Sequence, residues 1–365
     1  MITIGEITAT LENWAPLSLQ EPYDNAGLIC GDPNWVAKKA IISIDITEDV
    51  VEEAIQMGAN LIVAHHPIIF KGLKKLVGNT YVERTVIKAI RNDIALYATH
   101  TNLDNVHLGV NKIIGEKMDI HNPEILSPKS GQLLKLVTYC PIDHAEKIKS
   151  AMFDAGAGHI GKYDQCSFNT IGEGTFRALD GAQPHVGKLG EQHHEQEIKI
   201  EVILNVLLKN KVIKALTFAH PYEEVAYELY QIENTNPQIG SGMIGDLREE
   251  LDLNSFLDLI KKSFDLKVIR HTKNVNRKIR KVAWCGGSGS FLLGAAIGQK
   301  ADIFITGDFK YHEFFDAENQ IVIADIGHYE SEQFTMELIG DFLKRNFPKF
   351  AVRLTEVYTN PVIYY

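Results

Sequence analysis

Short, unbroken apolar runs alternate with amphipathic stretches in the first and last thirds of the chain. Apolar residues at helical spacing predict helices at 48–57 and around 82–91. An apolar run without alternation predicts a strand buried on both faces, and such strands separated by helices are typical of a largely parallel sheet. The predicted strands are 40–45, 61–64, 94–98, 281–285, 302–306 and 321–325. The pattern therefore predicts an α/β fold with helices on both faces of the sheet.

The two ends of the chain repeat each other. At an offset of 242 residues, KAIISID at 39 aligns with KVAWCGG at 281, and GANLIVAHH at 58 aligns with KADIFITGD at 300. After a shortening of 14 residues, IALYATHTNLD aligns with IVIADIGHYESE, and both carry HxxxD or HxxxE just after a buried strand. Three matches in register predict two related α/β halves of one domain.

The middle of the chain has a different texture and lies between two turn-rich stretches, 127–131 and 233–245. It predicts a strand at LLKLVTYC, a helix at 143–155, two extended stretches ending in IKIEVIL, a helix from 221 and a last strand. This order is that of a ferredoxin-like βαββαβ module. We therefore predict an outer domain made of 1–126 and 236–365, interrupted by an inserted domain at 127–235.

Composition and charge exclude several classes of protein. The formal net charge of −10 provides no field to hold a nucleic acid, so we expect no such partner. The four cysteines are scattered and form no CxxC, which argues against a disulfide framework and a cysteine-rich zinc site. The N-terminus lacks the basic start and apolar segment of a secretory signal, and the longest uncharged run, 282–299, is rich in glycine. We expect a cytoplasmic protein with no membrane segment.

Two adjacent histidines, His65 and His66, end the predicted strand at 61–64 and are followed by Pro67. Inside a strand their side chains would point to opposite faces, but the proline ends the strand and frees both to lie over its carboxyl edge. A single histidine beside an apolar strand is more often a packed residue. A second pair, His193 and His194, has no strand before it and lies among glutamates, so we predict a solvated loop there.

The repeated HxxxD/E motifs bring His100, Asp104, His328 and Glu332 to the same edge, where open α/β sheets bind ligands. Both carboxylates are predicted near helix starts, with Ser331 as a cap, which would stabilise the ionised form that a metal needs. Imidazoles and carboxylates together suit zinc first, and also iron, manganese or cobalt. There are enough ligands for two ions if one carboxylate bridges them, an arrangement common in hydrolases. His100 either ligates or orients a neighbouring ligand.

Three further segments could shape the pocket. GGSGS at 286–290 could cradle an anion with backbone amides or simply allow close packing. TGDFKYH brings Asp308, Lys310 and His312 to the edge, as catalytic groups or as an exposed turn. YDNAGL at 23–28 could close the pocket or form a turn.

Taken together and in order, YDNAGL, AHHPIIF, THTNLD, CGGSGS, TGDFKYH and GHYESE resemble the Nif-three-like dinuclear-metal family, often described as GTP cyclohydrolase 1 type 2 homologues. The resemblance implies two divalent ions per subunit, held by His65, His66, Asp104, His328 and Glu332, with Glu332 as the bridge. HPYEEVAYELY at 220–230 resembles the CutA/PII-like module of the longer members. The resemblance also implies a homohexamer with the metal sites facing an internal cavity, and a chemistry that opens the imidazole ring of guanine.

Two functions follow as hypotheses. The first is a metal-dependent hydrolase of a nucleotide-like small molecule, with His100, Asp308 and Lys310 as catalytic candidates. The alternative is a non-enzymatic, metal-dependent regulator or scaffold whose PII-like insert senses a ligand. The sequence leaves open whether the protein is an enzyme.

Overall fold

The computed structural model describes residues 1–273 and 277–365, which form two compact units. One unit consists of residues 1–128 and 237–365, and the other of residues 129–236. These limits differ by one or two residues from the predicted domain boundaries.

The first segment of the discontinuous unit begins with a helix and alternates strands with helices. Its helices are α1 (Ile4–Trp14), α2 (Glu48–Met57), α3 (Tyr81–Arg91), α4 (Thr101–Asp104) and α5 (Val110–Lys117). Its strands are β1 (Gly27–Cys30), β2 (Lys39–Ser43), β3 (Leu61–Ala64), β4 (Ala95–Ala98) and β5 (His121–Pro128). Helix α2 shows why such segments are helical: Thr47 caps it by accepting from the Val50 N–H, and Gly58 ends it with a φ of 65°.

The continuous unit has the predicted βαββαβ order. Its elements are β6 (Leu133–Pro141), α6 (Ala145–Asp154), β7 (Ser167–Arg177), β8 (Gln192–Asn205), α7 (Lys209–Ala219) and β9 (Tyr227–Gln231). The strands form one antiparallel sheet in the order β7-β8-β6-β9, the arrangement of a ferredoxin-like module. Ile148 of α6 and Leu216 of α7 pack on the apolar face of that sheet.

One helix of this unit was predicted in the wrong place. The helix expected from 221 lies earlier, at Lys209–Ala219, and Pro221 follows its end. Proline is common just past a helix C-terminus because it cannot continue the helix, so Pro221 marks a stop here instead of a start. Val212, Leu216 and Ala219, at helical spacing, are the buried positions that carried the missed signal.

The last segment returns to the discontinuous unit. Its helices are α8 (Leu253–Ser263), α9 (Leu293–Gly298), α10 (His328–Glu332) and α11 (Thr335–Asn346). Its strands are β10 (Gly240–Leu251), β11 (Arg270–His271), β12 (Ile279–Ser288), β13 (Ile303–Gly307), β14 (Val322–Asp325) and β15 (Ala351–Leu354).

The discontinuous unit contains two sheets, and each includes three adjacent parallel strands that are consecutive in that half of the repeat. One has the order β1-β4-β3-β2-β15 and the other β11-β14-β13-β12-β10-β5. The sets β2-β3-β4 and β12-β13-β14 follow the same chain order, as the sequence repeat predicted. The first sheet is largely parallel, but β5, β10 and β11 pair antiparallel, so the second is mixed. The mixed α/β class is therefore confirmed, while a largely parallel arrangement applies to the first sheet alone.

The central apolar core is shared by the two sheets. Ile42 and Val63 of the first sheet belong to the same buried cluster as Trp284 and Ile305 of the second. The neighbouring residues of the same strands point away from this core into two separate outer clusters. Ile41 and Ile62 of the first sheet belong to one, and Phe304 and Ile323 of the second sheet belong to the other. Burial of both faces explains why these strands read as unbroken apolar runs.

The end of the chain ties the two halves together. Strand β15 follows helix α11 of the second half but pairs parallel with β2 of the first sheet, with Ala351 opposite Lys39. Residues beyond it continue over the first half, where Thr359 donates from Oγ1 to Oδ2 of Asp45 at 2.8 Å. The sequence repeat gave no sign of this crossing.

Within the described parts of the chain, no helix is long and apolar enough to cross a membrane. All four cysteines are free.

Candidate metal centre

The ends of parallel strands from both sheets meet around one buried carboxylate, that of Glu332. His65 and His66 directly follow β3, and His100 and the short helix α4 with Asp104 follow β4. His328 and Glu332 are the first and last residues of α10, which follows β14. The structure thus brings together all five residues that the resemblance implied as metal ligands.

The two oxygens of Glu332 face different partners. Oε1 lies 3.5 Å from Nε2 of His65. Oε2 lies 3.0 Å from Nε2 of His66 and 3.2 Å from Nε2 of His328. Glu332 therefore belongs to two groups that could each hold an ion, one with His65 and Asp104 and the other with His66 and His328.

Two buried polar atoms at this place lack a hydrogen-bond partner: Nε2 of His65 and Oδ1 of Asp104. They lie 3.7 Å apart, beyond hydrogen-bond distance. Zinc–nitrogen bonds of about 2.0–2.1 Å in a tetrahedron separate neighbouring ligand atoms by roughly 3.3 Å. Buried polar atoms are rarely left without a partner, so atoms at this spacing fit a shared cation better than a packed core.

Each imidazole is held by its other nitrogen. Nδ1 of His65 lies 2.9 Å from the Thr99 carbonyl oxygen, and Nδ1 of His66 lies 2.8 Å from Oδ1 of Asp45. The same pattern places Nδ1 of His100 2.7 Å from Asp24 and Nδ1 of His328 2.7 Å from Asp308. Such partners fix the tautomer and leave the Nε2 atoms of His65, His66 and His328 directed at Glu332, as in known metal sites.

Sequence reasoning missed Asp45 entirely. A signal was present, because Asp45 ends the apolar stretch AIISID, and that stretch is the first of the three repeated strands. No histidine lies four residues before Asp45, so the repeated HxxxD/E motif does not include it. Asp24 of YDNAGL also acts here, as the partner of His100 and as the acceptor of the Thr101 N–H at 3.1 Å.

The glycine-rich segment approaches Glu332 directly. Gly287 has a φ of +62°, and a Cβ there would lie 2.3 Å from Oε1 of Glu332 and 3.2 Å from Nε2 of His328. The N–H groups of Gly286 and Gly287 donate to Oδ1 of Asn111 and to Oγ of Ser331, at 3.0 and 2.9 Å. Between the two alternatives left by the sequence, close packing accounts for these two glycines, because their amides are already bonded within the protein.

The expected helix starts were wrong for both carboxylates. Asp104 is the last residue of α4, and Glu332 is the last residue of α10. Ser331 does not cap a helix, since its hydroxyl donates to the His328 carbonyl oxygen at 2.7 Å and accepts from Gly287. The chain makes one helical turn after each strand, and that turn, not a helix dipole, carries the ligand to the edge.

Burial and the neighbouring charges perturb the pKa values of the cluster. Burial raises the pKa of Asp104 to about 6. Burial also opposes ionisation of Glu332, but the imidazoles of His65 and His328 hold its pKa well below the usual value. Burial likewise disfavours the imidazolium of His66, yet Asp45 and Glu332 raise its pKa to about 9, and Glu332 and Asp308 raise that of His328 to about 11. Without a cation, protons on the histidines balance the carboxylates.

A cavity of about 880 Å³ opens in front of the cluster. His100 and Asp308, two of the catalytic candidates, line it together with His66, Asp104, His328 and Glu332. Lys310 and His312 are exposed and are not among the described residues of its wall. Lys310 instead donates its N–H to Oε2 of Glu313 at 2.9 Å, at the start of the 3₁₀ helix Tyr311–Ala317.

The second histidine pair lies elsewhere, in the continuous unit, and its predicted loop is a strand. His193 and His194 belong to β8, and their rings contact Glu195 at 2.8 Å and Glu173 at 3.1 Å. The first part of β8 was predicted as a loop because QHHEQE has no apolar residue at alternate positions, and none of these six residues is buried.

Comparisons with known proteins point to one family. A family model described as Duf34/NIF3 (NGG1p interacting factor 3) matches residues 2–361. A Halalkalibacterium halodurans protein described as a GTP cyclohydrolase 1 type 2 homolog is 39% identical over 355 residues, which cover 96% of this chain and 95% of the relative. A Bacillus subtilis protein with the same description is 35% identical over 362 residues, covering 98% and 97%. The solved structure of a Bacillus cereus protein related to NIF3 has a TM-score of 0.88 at 37% identity and covers both chains completely.

Proposed function

This chain belongs to the Duf34/NIF3 family, and we propose that it is a metal-dependent hydrolase that holds two divalent ions around Glu332 and acts on a nucleotide-like small molecule. The description of its relatives as GTP cyclohydrolase 1 type 2 homologs makes a purine-like ring the first substrate class to test.

The observation that carries this proposal is the pair of unpartnered buried atoms, Nε2 of His65 and Oδ1 of Asp104, beside a carboxylate that faces two sets of ligands. A buried donor or acceptor without a partner costs roughly 1–3 kcal/mol. Two such atoms at one point favour a bound group, outside the chain itself, as their partner. A divalent cation would satisfy a nitrogen and a carboxylate together.

The ligands divide into two sets that share Glu332. His65 and Asp104 would hold one ion with Oε1, and His66 and His328 would hold the other with Oε2. Nitrogen and oxygen ligands in this ratio suit zinc first, with iron, manganese and cobalt as alternatives. Bound at this place, the ions would polarise a substrate oxygen or nitrogen and lower the pKa of a bound water.

The remaining residues orient the ligands and handle protons. Asp45 and Asp308 hold Nδ1 of His66 and His328, which keeps both Nε2 atoms directed at Glu332. His100 lies beside His65 and His66, and Nδ1 is held by Asp24, so Nε2 is the ring nitrogen left to accept or deliver a proton. We therefore assign His100 the proton-transfer role, with Asp24 fixing its tautomer.

Two measurements on the same preparation test the proposal. Elemental analysis of untreated protein should find about two divalent ions per subunit, and a hydrolysis screen of purine and pyrimidine nucleotides, nucleosides and bases should find a substrate. His66→Ala should abolish that turnover. Protein without stoichiometric metal, or Glu332→Ala with unchanged metal content, would refute the proposal.

A cavity in the continuous unit favours a second candidate function, that of a metal-dependent regulator whose CutA/PII-like insert senses a ligand. This cavity of about 690 Å³ is lined by Tyr139, Phe176, His185 and Tyr222, and Tyr222 donates from its hydroxyl to Oε1 of Glu197 at 2.9 Å. Thermal-shift screening of the same compounds against the wild type and Tyr222→Ala tests it. A ligand that raises the melting temperature of the wild type but not of Tyr222→Ala supports sensing by the insert. Turnover at the metal site that none of these ligands changes contradicts the regulatory function.

We also propose that the protein assembles as a homohexamer. Phe168 of the edge strand β7 and Phe218 of α7 are mostly exposed in the single chain, which favours self-association. Native mass spectrometry should find six copies of the 40.9 kDa subunit. A monomer or dimer at micromolar concentration contradicts this assembly.

A further inference from the structure

The wall of the metal-site cavity is rich in acceptors and poor in cations. Seven of its carboxylates belong to Glu21, Asp45, Asp104, Asp308, Asp325, Glu330 and Glu332. Among the described lining residues there is no lysine, and one guanidinium, that of Arg270, is present. Two divalent ions and this guanidinium would bring five positive charges against seven negative ones, so the loaded cavity keeps a negative balance.

The guanidinium is already paired within the wall of the cavity. Arg270 pairs with the buried carboxylate of Asp325 and donates to the Phe309 carbonyl oxygen at 3.0 Å. Asp325 in turn accepts from the N–H groups of Phe309 and Gly327, at 2.9 and 3.0 Å. The Arg270–Asp325 pair thus holds the backbone next to Asp308 and next to His328. A phosphate that drew Arg270 away from Asp325 would break this pair.

Five of the neutral donors around the cavity are also engaged. The Thr101 hydroxyl donates to Asp24, the Ser241 hydroxyl donates to Asn105 at 2.8 Å, and the Thr359 hydroxyl donates to Asp45 at 2.8 Å. The amides of Asn111 and Asn360 donate to the Asp104 carbonyl oxygen at 3.2 Å and to Glu330 at 3.0 Å. The Gly286 and Gly287 amides, the nearest approach to an anion cradle, are bonded as well. A polyphosphate chain carries acceptors and needs donors, so this wall is a poor match for it.

Aromatic side chains supply the rest of the wall. Tyr23, Phe70, Tyr81 and Phe291 line the cavity, and at least half of each is exposed. Rings of this kind stack on planar bases whatever the base sequence. Glu21 and Glu330 also line the cavity and are outside the proposed ligand set, and each carboxylate has about four lone-pair sites, so both would accept from ring N–H and amino groups.

We infer that this site takes a planar nitrogen heterocycle without a polyphosphate chain, a free base or its nucleoside, in preference to the nucleoside triphosphate. The inference rests on the proposed metal-dependent function and specifies its substrate class. The cavity volume admits both ligands, so charge and hydrogen-bonding capacity make the distinction.

Binding, measured apart from turnover, tests the inference. Equilibrium dialysis of the full-length, metal-loaded chain against guanosine, GMP and GTP should give affinities that fall with each phosphate, with guanosine at least tenfold tighter than GTP. Chromatography verifies that each ligand is intact, and elemental analysis of each dialysed sample verifies that metal is retained. GTP binding as tightly as guanosine, or no binding by any of the three, overturns the inference.

Three variants make the test specific. Phe291→Ala should weaken guanosine binding about tenfold through lost stacking, whereas Phe315→Ala, an equally exposed ring outside the cavity wall, should not. Val268→Lys adds a cation to the wall and should narrow the ratio between guanosine and GTP. An unchanged ratio in Val268→Lys contradicts the electrostatic basis. If the protein binds metal but prefers GTP to guanosine, this inference alone is refuted. If the protein binds no metal, the proposed function is refuted and this inference with it.

Discussion

His66 and Glu332 are separated by 266 positions in the chain, yet Nε2 of the imidazole lies 3.0 Å from Oε2 of the carboxylate. The contact joins the end of β3 in one sheet to the turn after β14 in the other. Each half of the repeat therefore supplies only part of the ligand set, and the site exists only where the two sheets share a core.

Replacing the shared carboxylate should remove metal from both sets of ligands. Glu332→Gln keeps the shape but loses the charge that faces His65, His66 and His328, so we expect metal affinity to fall by more than the roughly 10–100-fold typical of groups behind the ligands. Elemental analysis and competition with a chelator measure the loss. Glu337→Gln, at a half-exposed position that pairs with Lys117, is the matched control and should keep its metal.

Asp45→Asn should weaken metal binding by roughly 10–100-fold without removing a ligand. The amide of asparagine lacks the negative charge of the carboxylate that accepts from Nδ1 of His66. The hydrogen bond is therefore weaker, and the ring loses its fixed orientation. Chelator competition measures the affinity, and Asp49→Asn, at an exposed position nearby in α2, is the control. Equal affinities in the two variants would mean that Asp45 does not orient His66.

Gly287→Ala should abolish metal binding, and a second glycine separates the reasons. Gly287 and Gly58 have nearly the same positive φ, +62° and +65°, so alanine costs about 1–2 kcal/mol of backbone strain at either position. At Gly58 a Cβ has no atom within 4 Å, whereas at Gly287 it would meet Glu332 and His328. We expect Gly58→Ala to lower the free energy of unfolding but to retain metal. Gly287→Ala should lower the free energy of unfolding and also lose metal. Retained metal in Gly287→Ala would show that the cluster relaxes around the methyl group.

Metal binding should release protons and tighten as pH rises. In the metal-free chain the pKa values of His66 and His328 are raised to about 9 and about 11, so both rings are protonated at pH 7. Metal ligation needs neutral imidazole, so about two protons per subunit should be released on binding. Calorimetry in buffers of different ionisation enthalpy counts them. Metal affinity that does not change between pH 6 and pH 9 would contradict this prediction.

Stability of the metal-free chain should move the opposite way. A raised histidine pKa stabilises the folded state fully below the unfolded value of about 6.5, and this contribution is lost as pH rises through the folded values. The metal-free protein should therefore lose stability between pH 7 and pH 11, more steeply than the metal-loaded protein. Denaturant titrations of both forms at three pH values give the comparison.

Asp24 should stabilise the protein at neutral pH and lose its effect in acid. Burial opposes its ionisation, but the bond to His100 and its other partners lower the pKa from 3.8 to about 2. The shift corresponds to about 2 kcal/mol, present above pH 4 and lost as pH falls through 2. The difference in unfolding free energy between the wild type and Asp24→Asn should therefore shrink from pH 5 to pH 2. A constant difference would assign the effect to packing.

Much of the fold could be predicted because local patterns and tertiary structure agree. Helix α2 has the predicted limits, and β3 coincides with LIVA, because a threonine cap, a left-handed glycine and an apolar run leave little choice. The resemblance to the Nif-three-like family is confirmed by the match over residues 2–361. The helix expected at 221 was wrong because Pro221 is compatible with both a helix start and a helix stop, and only the packing of Leu216 on the sheet decides between them.

The sequence by itself determined which residues gather at the edge, since strands of a parallel set must end together and His65, His66, Asp104, His328 and Glu332 each follow such an end. Tertiary structure alone decided how they act as one site. The crossing of β15 to the first sheet, the carboxylate of Asp45 behind His66, and the division of Glu332 between two sets of ligands depend on two sheets packing on one core. Periodicity describes each half separately, and no local pattern records the angle and distance at which the halves meet.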